Sequence, residues 1–218
     1  QFVGQHEYFN EQIDNYLKNG KNIAIISMSS AMATHYYDKY KNDYNSVLYT
    51  GKTNDKDKSK LAVVNEEWND KKLIVYSPYI EAGVDFNIKH IDKIFVILSS
   101  SENLKYCSTS QRGLLQMIAR IRQFEDNNIL VYKKLLKVNG NINRVYTMEE
   151  IKLFYDNIFE EAIDDNEKLK QIILFSKQEE INKLSHTFIP LFIKMIEADA
   201  FVAKYQLPFN MFNIRMLP

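Results

Sequence analysis

Short apolar segments alternate with amphipathic helical segments along most of the chain, and this alternation restricts the folds that the chain can adopt. Five apolar segments have the length of strands: residues 22–28, 46–50, 73–76, 91–98 and 128–132. Helical spacing of apolar residues precedes or separates them, at residues 7–18, 31–41, 58–69 and 108–122. Apolar strands that alternate with helices are typical of a parallel sheet covered by helices on both faces. The sequence therefore predicts an α/β fold.

Polar residues follow the predicted strands, at the edge of the sheet where α/β proteins bind their ligands. The segments at these strand ends are residues 27–30, 50–53, 77–85 and 99–101. Tyr76, Tyr79 and Phe86 lie in or beside one of them and are candidates for stacking on a nucleobase. We expect a functional site along this edge.

The sequence pattern changes after residue 146. Thr147 and Glu150 form a capping-box sequence, and Phe154 and Ile158 then follow at helical spacing. We predict an α/β domain over residues 1–146 and an all-α extension without a strand over residues 147–218. The apolar stripe of this extension is expected to be a packing surface.

Positive and negative charges cancel over the whole chain, at 28 basic and 28 acidic residues, but they are unevenly distributed. The net charge is −1 over residues 1–100, +5 over residues 101–146 and −4 over residues 147–218. A basic segment between neutral and acidic parts favours a region that faces phosphate. A solvated surface that carries lysine gives the same count, so the charge alone leaves both interpretations open.

Composition excludes several classes of protein. No apolar run approaches the roughly 20 residues of a membrane-spanning helix, and no secretory leader is recognisable. Cys107 is the single cysteine, which excludes an internal disulfide and suits a reducing compartment. The four histidines lack the spacing of metal ligands, so we expect no metal site. The chain begins at Gln1 rather than Met, and we expect it to be a piece of a longer protein.

Gly51, Lys52 and Thr53 resemble the end of a phosphate-binding P-loop. The full motif needs a glycine five residues before Gly51, and that position is Ser46. The residues between them have the pattern of a strand, whose amides cannot turn around a phosphate. We therefore reject a P-loop here and expect the bulk of any nucleotide to bind outside this chain.

Residues 72–86 run from a predicted buried strand into a loop. Ser77 ends the strand and can bond a phosphate oxygen. Gly83 allows a ligand to approach the backbone closely, and Asp85 can orient an arginine or bond a ribose hydroxyl. A plain strand, turn and surface acid would have the same sequence.

Residues 111–123 form the second segment suited to nucleotide chemistry. On a helix, Gln116 and Arg120 share one face while Arg122 points elsewhere. An arginine beside the strand ends can stabilise charge on a transferred phosphoryl group. A surface helix whose arginines pair with acids is the alternative.

In this order and spacing the segments resemble the second RecA-like lobe of superfamily 2 helicases. Residues 22–30 (NIAIISMSS) are similar to motif IV, residues 48–53 (LYTGKT) to the strand-end motif after it, residues 75–86 (VYSPYIEAGVDF) to motif V and residues 116–123 (QMIARIRQ) to motif VI. The motifs most resemble the herpesvirus origin-binding-protein type, which is also found in large DNA viruses and mobile elements. The resemblance covers about half of the chain, and the extension has no counterpart.

The resemblance implies a role for nine residues. It assigns Arg120 and Arg122 to catalysis, one of them as an arginine finger; Gly83, Asp85 and Gln116 to the nucleotide site; and Ser27, Ser29, Thr50 and Ser77 to the nucleic-acid strand. It implies ATP and Mg²⁺ as cofactors, bound mainly by a first, N-terminal RecA-like lobe that is absent from this chain. The implied partners are that lobe, single-stranded or duplex DNA, and a primase or polymerase. The implied location is the cytoplasm or nucleus of a host cell, or a viral replication site.

Two departures from the family pattern leave the function open. Ala119 stands where a glycine is usual, and Gln123 stands where many members have a final arginine. The leading hypothesis is the C-terminal motor lobe of a helicase or translocase in DNA replication, without ATPase activity on its own. The alternatives are a non-catalytic scaffold whose helical extension docks a replication partner, and a small-molecule enzyme with a site near Gly83.

Overall fold

Six strands form one sheet in the computed structural model, which describes residues 3–80, 83–99, 108–126, 128–134, 188, 192 and 213–216. The strands are β1 (Ile23–Ser27), β2 (Ser46–Tyr49), β3 (Leu73–Tyr76), β4 (Lys93–Ser99), β5 (Asn128–Lys134) and β6 (Asn213–Met216). Their order across the sheet is β2-β3-β1-β4-β5-β6, and all neighbouring pairs are parallel. The predicted α/β fold is therefore confirmed.

Two layers of helices cover the sheet, as the apolar strands require. On one face, α1 (Val3–Lys18) and α2 (Ser30–Tyr40) bury Phe9 and Tyr36 against Ile25 and Phe95. On the other face, α4 (Val64–Trp68) and α5 (Gln111–Ile118) bury Trp68 and Met117 against Ile74 and Val96. Every residue of β1, β3 and β4 is buried, which explains why these strands are almost continuously apolar. Within the described residues, no helix is long and apolar enough to cross a lipid bilayer.

Two predicted helices are shorter or more broken than the sequence pattern indicates. Residues 58–69 fall into α3 (Asp55–Ser59), a 3₁₀ turn (Lys60–Val63) and α4, because Val63 leaves the helical region at φ −119° and ψ 44°. The helix predicted over residues 108–122 is α5, which begins after Ser110 and ends at Ile118. The Ser110 hydroxyl caps it by accepting a hydrogen bond from the Gly113 amide at 3.1 Å.

The region after residue 146 contains one correction. We expected an extension without a strand, but Asn213–Met216 form β6, which pairs in parallel with β5. Four residues are too short for their alternation to be recognised as a strand, whereas the free edge of β5 offers unpaired backbone groups. The helices predicted after residue 146 lie outside the described residues, of which this region has only Phe188, Phe192 and Asn213–Met216. The division at residue 146 stays a prediction.

Phe188 and Phe192 connect this later region to the sheet. Both side chains are fully buried in the core that contains Trp68 and Met117. The buried Gln111 side chain at the start of α5 donates a hydrogen bond from Nε2 to the Phe188 carbonyl at 3.3 Å. At these two positions, the apolar residues of the extension pack inward against α5.

Candidate functional site

Five serines meet in a cleft of about 390 Å³ at the carboxyl edge of the sheet. We call it the serine cleft, and its lining includes Ser29, Ser30, Ser77, Ser99, Ser108 and Tyr79. These residues come from the ends of β1, β3 and β4 and from the segment before α5. None of the described residues that line the cleft carries a charge. Its polar character therefore comes from neutral hydroxyl groups.

Hydrogen bonds between the strand ends shape the serine cleft. Ser29 caps α2, since its hydroxyl accepts a bond from the Met32 amide at 3.4 Å. Ser30 donates to the Ser77 hydroxyl at 3.3 Å, which joins the ends of β1 and β3. The Ser108 hydroxyl donates to the Met28 carbonyl. Three separate segments are thereby fixed around one opening.

Ser99 is the exception in this network. Its side chain is 4 % exposed, and its hydroxyl has no hydrogen-bond partner in the part of the chain that the structure describes. A buried hydroxyl group without a partner reduces stability, so its retention at a cleft is consistent with a ligand that completes it. The sequence pattern places residues 99–101 at a strand end, but it does not distinguish Ser99, Ser30 or Ser108 as site residues.

The four residues predicted to bind a nucleic-acid strand separate into two pairs. Ser29 and Ser77 line the serine cleft. Ser27 is buried, and its hydroxyl donates to the Ser29 carbonyl at 3.0 Å and accepts from the Ser29 amide at 3.1 Å. Thr50 is also buried, and its hydroxyl accepts a bond from the Lys52 amide at 3.2 Å. The hydroxyls of Ser27 and Thr50 therefore close the turns that follow β1 and β2.

A second group of predicted residues lies where two segments run side by side: the Gly83 loop (residues 83–87) and the arginine segment (residues 119–123). The Phe86 amide donates to the Arg120 carbonyl at 2.9 Å, and the Arg122 amide donates to the Phe86 carbonyl at 2.9 Å. Phe86 and Ile121 thereby form a parallel bridge. This pairing replaces the last turn of the predicted helix, so Arg120 lies beyond α5 and does not share a helix face with Gln116.

Both arginines contact the Gly83 loop through their side chains. The Arg120 guanidinium donates to the Val84 carbonyl at 3.0 Å. Arg122 Nε donates to Asp85 Oδ1 at 2.5 Å, in an ion pair that remains open to solvent. Gly83 starts the loop with φ +78°, a left-handed conformation that favours glycine. The structure therefore brings together Gly83, Asp85 and both arginines.

Gln116 lies on the exposed surface of α5, one turn before the arginine segment. Below it, the buried Tyr76 hydroxyl donates to the Met117 carbonyl at 2.9 Å. Burial raises the pKa of Tyr76, so this hydroxyl keeps its proton and continues to donate. The bond fixes the end of α5 over β3, and with it the start of the arginine segment.

The rejected P-loop has the structure that its sequence indicates. Ser46–Tyr49 form β2, and the Thr50 amide then donates to the Thr53 hydroxyl at 2.8 Å in a tight turn. No open phosphate loop is present at residues 46–53, so the rejection is confirmed.

The donors at this edge suit phosphate groups better than metal ions. Within the described residues, no cluster of three or more His, Cys, Asp or Glu side chains is placed to hold a metal. The available groups are hydroxyls and two guanidiniums, which bind phosphate oxygens. Fold and site together define an α/β domain with a cleft lined by hydroxyl groups, and a nearby pair of arginines, at the carboxyl edge of a parallel sheet.

Comparison with known proteins identifies the family. Residues 2–201 match the family described as "Origin of replication binding protein", and the chain belongs to it. The chain is also 33 % identical over 211 residues to a protein of Acanthamoeba polyphaga mimivirus that is provisionally named a replication origin-binding protein. That match covers 83 % of this chain and 25 % of the viral protein. The prediction that the chain is a helicase-like protein of the origin-binding type is confirmed.

Two further matches are a second viral protein and a solved structure. A second mimivirus protein, provisionally named helicase R8 and uncharacterized, is 30 % identical over 167 residues, which are 72 % of this chain and 15 % of that protein. The chain thus spans a quarter or less of these relatives. Among solved structures, S. cerevisiae Dbp5 bound to RNA and ADP BeF3 is 14 % identical with a TM-score of 0.37, over 72 % of this chain and 38 % of that one.

Proposed function

We propose that this chain is the second motor lobe of an ATP-dependent helicase or translocase that acts in DNA replication. The observation that carries this proposal is the pairing of the arginine segment with the Gly83 loop, which holds Arg120 and Arg122 against Val84 and Asp85. Family membership and the names of the viral relatives support a role in replication.

Arg120 and Arg122 are the groups of this chain that would hold ATP phosphates. Asp85 keeps Arg122 in position, and because the pair is exposed, the guanidinium can exchange this carboxylate for a phosphate without a large desolvation penalty. Arg120 is bonded to a neutral carbonyl, so it stays oriented whether or not an anion is near. ATP with Mg²⁺, bound mainly by a first lobe outside these residues, supplies the phosphoryl group and its charge.

Chain continuity couples the arginines to the serine cleft. Ser77 at the cleft is six residues from Gly83, and the bridge between Phe86 and Ile121 makes the Gly83 loop move with the arginine segment. A shift of the arginines therefore pulls on the strand end that lines the cleft. Binding of a DNA strand through neutral hydroxyls reads no sequence, as translocation along a strand requires.

The test uses the protein that carries both lobes and measures DNA-stimulated ATP turnover. We expect Arg120→Ala and Arg122→Ala each to reduce turnover by about 10³ or more, because the variant loses a guanidinium that stabilises negative charge on the transferred phosphoryl group. Arg112→Ala is the matched control, since Arg112 is exposed on α5 upstream of the arginine segment. Wild-type turnover in the double variant refutes the assignment.

A non-catalytic scaffold is the second candidate, and one observation favours it. Both guanidiniums are already bonded within the chain, to Val84 and Asp85, as they would be in a purely structural role. The scaffold hypothesis expects a replication partner, such as a primase or polymerase, to bind independently of ATP. It also expects this binding to survive loss of both arginines, whereas the motor hypothesis ties them to turnover.

A further inference from the structure

Tyr79 differs in exposure from the other aromatic residues near the strand ends. Tyr76 and Phe86, the other candidates for base stacking, are fully buried. Tyr79 is 43 % exposed and lines the serine cleft beside Ser77. An aromatic ring is therefore presented to solvent within the same opening as the hydroxyl groups.

The backbone on both sides of Tyr79 is fixed. Pro78 restricts the preceding φ angle, and Ile80 buries its side chain in the core with 1 % exposure. The Ile80 amide donates to the Ser77 carbonyl at 3.1 Å, which closes the turn Pro78–Ile80. A platform held in this way loses little conformational entropy when a ligand binds.

Positive charge lies over the Tyr79 ring. The Lys58 ammonium is 5.0 Å from the centroid of the Tyr79 ring, and it also reaches Asp55 at 3.4 Å. Lys58 thus places a cation at the rim of a cleft whose described lining is neutral. A phosphate that accompanies a stacked base would meet this ammonium together with the serine hydroxyls.

The surroundings of Tyr79 favour a nucleotide over an apolar protein surface. Large exposed apolar side chains among the described residues are Tyr8, Val63 and Tyr79, so the ring is not part of a broad apolar patch. A single ring beside several hydroxyl donors matches one nucleotide unit, which has a flat base and a phosphate that accepts hydrogen bonds.

We infer that Tyr79 is a stacking platform for an unpaired base of single-stranded DNA whose phosphates bind in the serine cleft. This inference rests on the strand-binding role in the proposed function and adds a base contact to it. Because every base has a π face, such a contact gives preference for single strands without sequence specificity.

The experiment measures binding of the 218-residue chain to an oligothymidylate of about 12 nucleotides, a length within the usual site size of single-strand binding proteins. We expect Tyr79→Ala to weaken binding about tenfold, because the stacked ring is lost. Tyr79→Phe keeps the ring and should stay within about twofold of wild type. Tyr8→Ala is the matched control, since Tyr8 is similarly exposed at 39 % but lies on α1.

A second oligomer separates stacking from phosphate contacts. It has the same length and charge but carries abasic sites, and on it Tyr79→Ala should bind as wild type does, within about twofold. Equal weakening on both oligomers, or no weakening on either, overturns the stacking platform. If Ser77→Ala weakens binding while Tyr79→Ala does not, the proposed strand site stands and only the platform fails. Absence of binding by the wild-type chain refutes both.

Discussion

The two edges of the sheet differ in how the hydrogen-bonding and charged groups are satisfied. At the amino edge, charges satisfy one another: Lys93 pairs with Asp126 at 2.5 Å, and the Tyr16 hydroxyl and the Asn128 amide donate to the same carboxylate at 3.0 and 2.9 Å. At the carboxyl edge, the serine cleft is neutral, and the Ser99 hydroxyl has no partner among the described residues. Among the described residues, the network at the amino edge is complete, whereas the one at the carboxyl edge leaves the Ser99 hydroxyl available to the ligand that we propose.

The pKa of Asp126 reflects the ion pair and hydrogen bonds that its carboxylate makes at the amino edge. Burial alone raises the pKa of a carboxylate, but the Lys93 ammonium and the donors on Asn128 and Tyr16 outweigh it and lower the pKa of Asp126 to about 2. Burial, together with the hydrogen bond to Asp126, raises the pKa of Tyr16 to about 12. Both groups are therefore fixed in one protonation state at neutral pH, which makes this edge a structural element.

The largest effect that would sharpen this contrast comes from Asp126→Asn. Lys93 is 9 % exposed, so the substitution leaves a nearly buried ammonium without its carboxylate and should reduce the free energy of unfolding by about 2–3 kcal/mol. Urea denaturation measures this loss, and single-strand affinity should not change. Asp38→Asn is the control, because it removes an exposed pair with Lys41. If Asp126→Asn is as stable as wild type, or if it loses affinity for DNA, the amino edge does not have the purely structural role that we assign to it.

The ionisation of Asp126 should also be visible in the pH dependence of the free energy of unfolding. Because the pKa of Asp126 is lower in the folded chain than the roughly 3.9 of a free aspartate, its contribution is complete above about pH 4 and disappears as the pH falls towards 2. We expect a loss of about 1–2 kcal/mol from this group, reduced by its partial exposure. Denaturation of wild type and Asp126→Asn is measured at about pH 5 and pH 2.5. The contribution of Asp126 is the extra free energy of unfolding that wild type loses between the two pH values. Parallel losses in both proteins contradict the assignment.

The smallest effect concerns the carboxyl edge and has the opposite sign. Ser99→Ala removes a buried hydroxyl without a described partner and should raise the free energy of unfolding by about 1 kcal/mol, while single-strand affinity falls a few-fold. Ser27→Ala is the matched control, since Ser27 is also a buried serine at a strand end but makes two hydrogen bonds. Its removal should destabilise the chain by about 1 kcal/mol. Equal changes in both variants would erase the contrast.

The strands were the most predictable part of the fold because burial on both faces makes their sequences apolar throughout. Residues 73–76 were predicted at the bounds that the structure has. The end of α5 was not predictable, since it depends on pairing between Ile121 and Phe86, which are 35 positions apart in the chain. β6 was missed for a similar reason: its pairing with β5 joins residues that are far apart in sequence.

The roles predicted for the site residues stay predictions, and the sequence could not show how their side chains are oriented. Motif order pointed to Ser29, Ser77, Asp85 and both arginines, but it could not show that Ser27 and Thr50 turn their hydroxyls to neighbouring amides. Those bonds depend on local turn geometry. Ser99 and Ser108 became part of the cleft only when separate segments were brought together in space.

The late position of β6 in the chain has a consequence for synthesis. Synthesis of β1 to β5 is complete at residue 134, but the strand that covers the outer edge of β5 begins only at Asn213. At the usual rate of translation, that edge stays open for several seconds on the ribosome. During this time β5, with its apolar Ile129, Leu130 and Val131, can pair with another nascent chain instead. We therefore expect yield in the cell to depend on how quickly residues 135–212 are made.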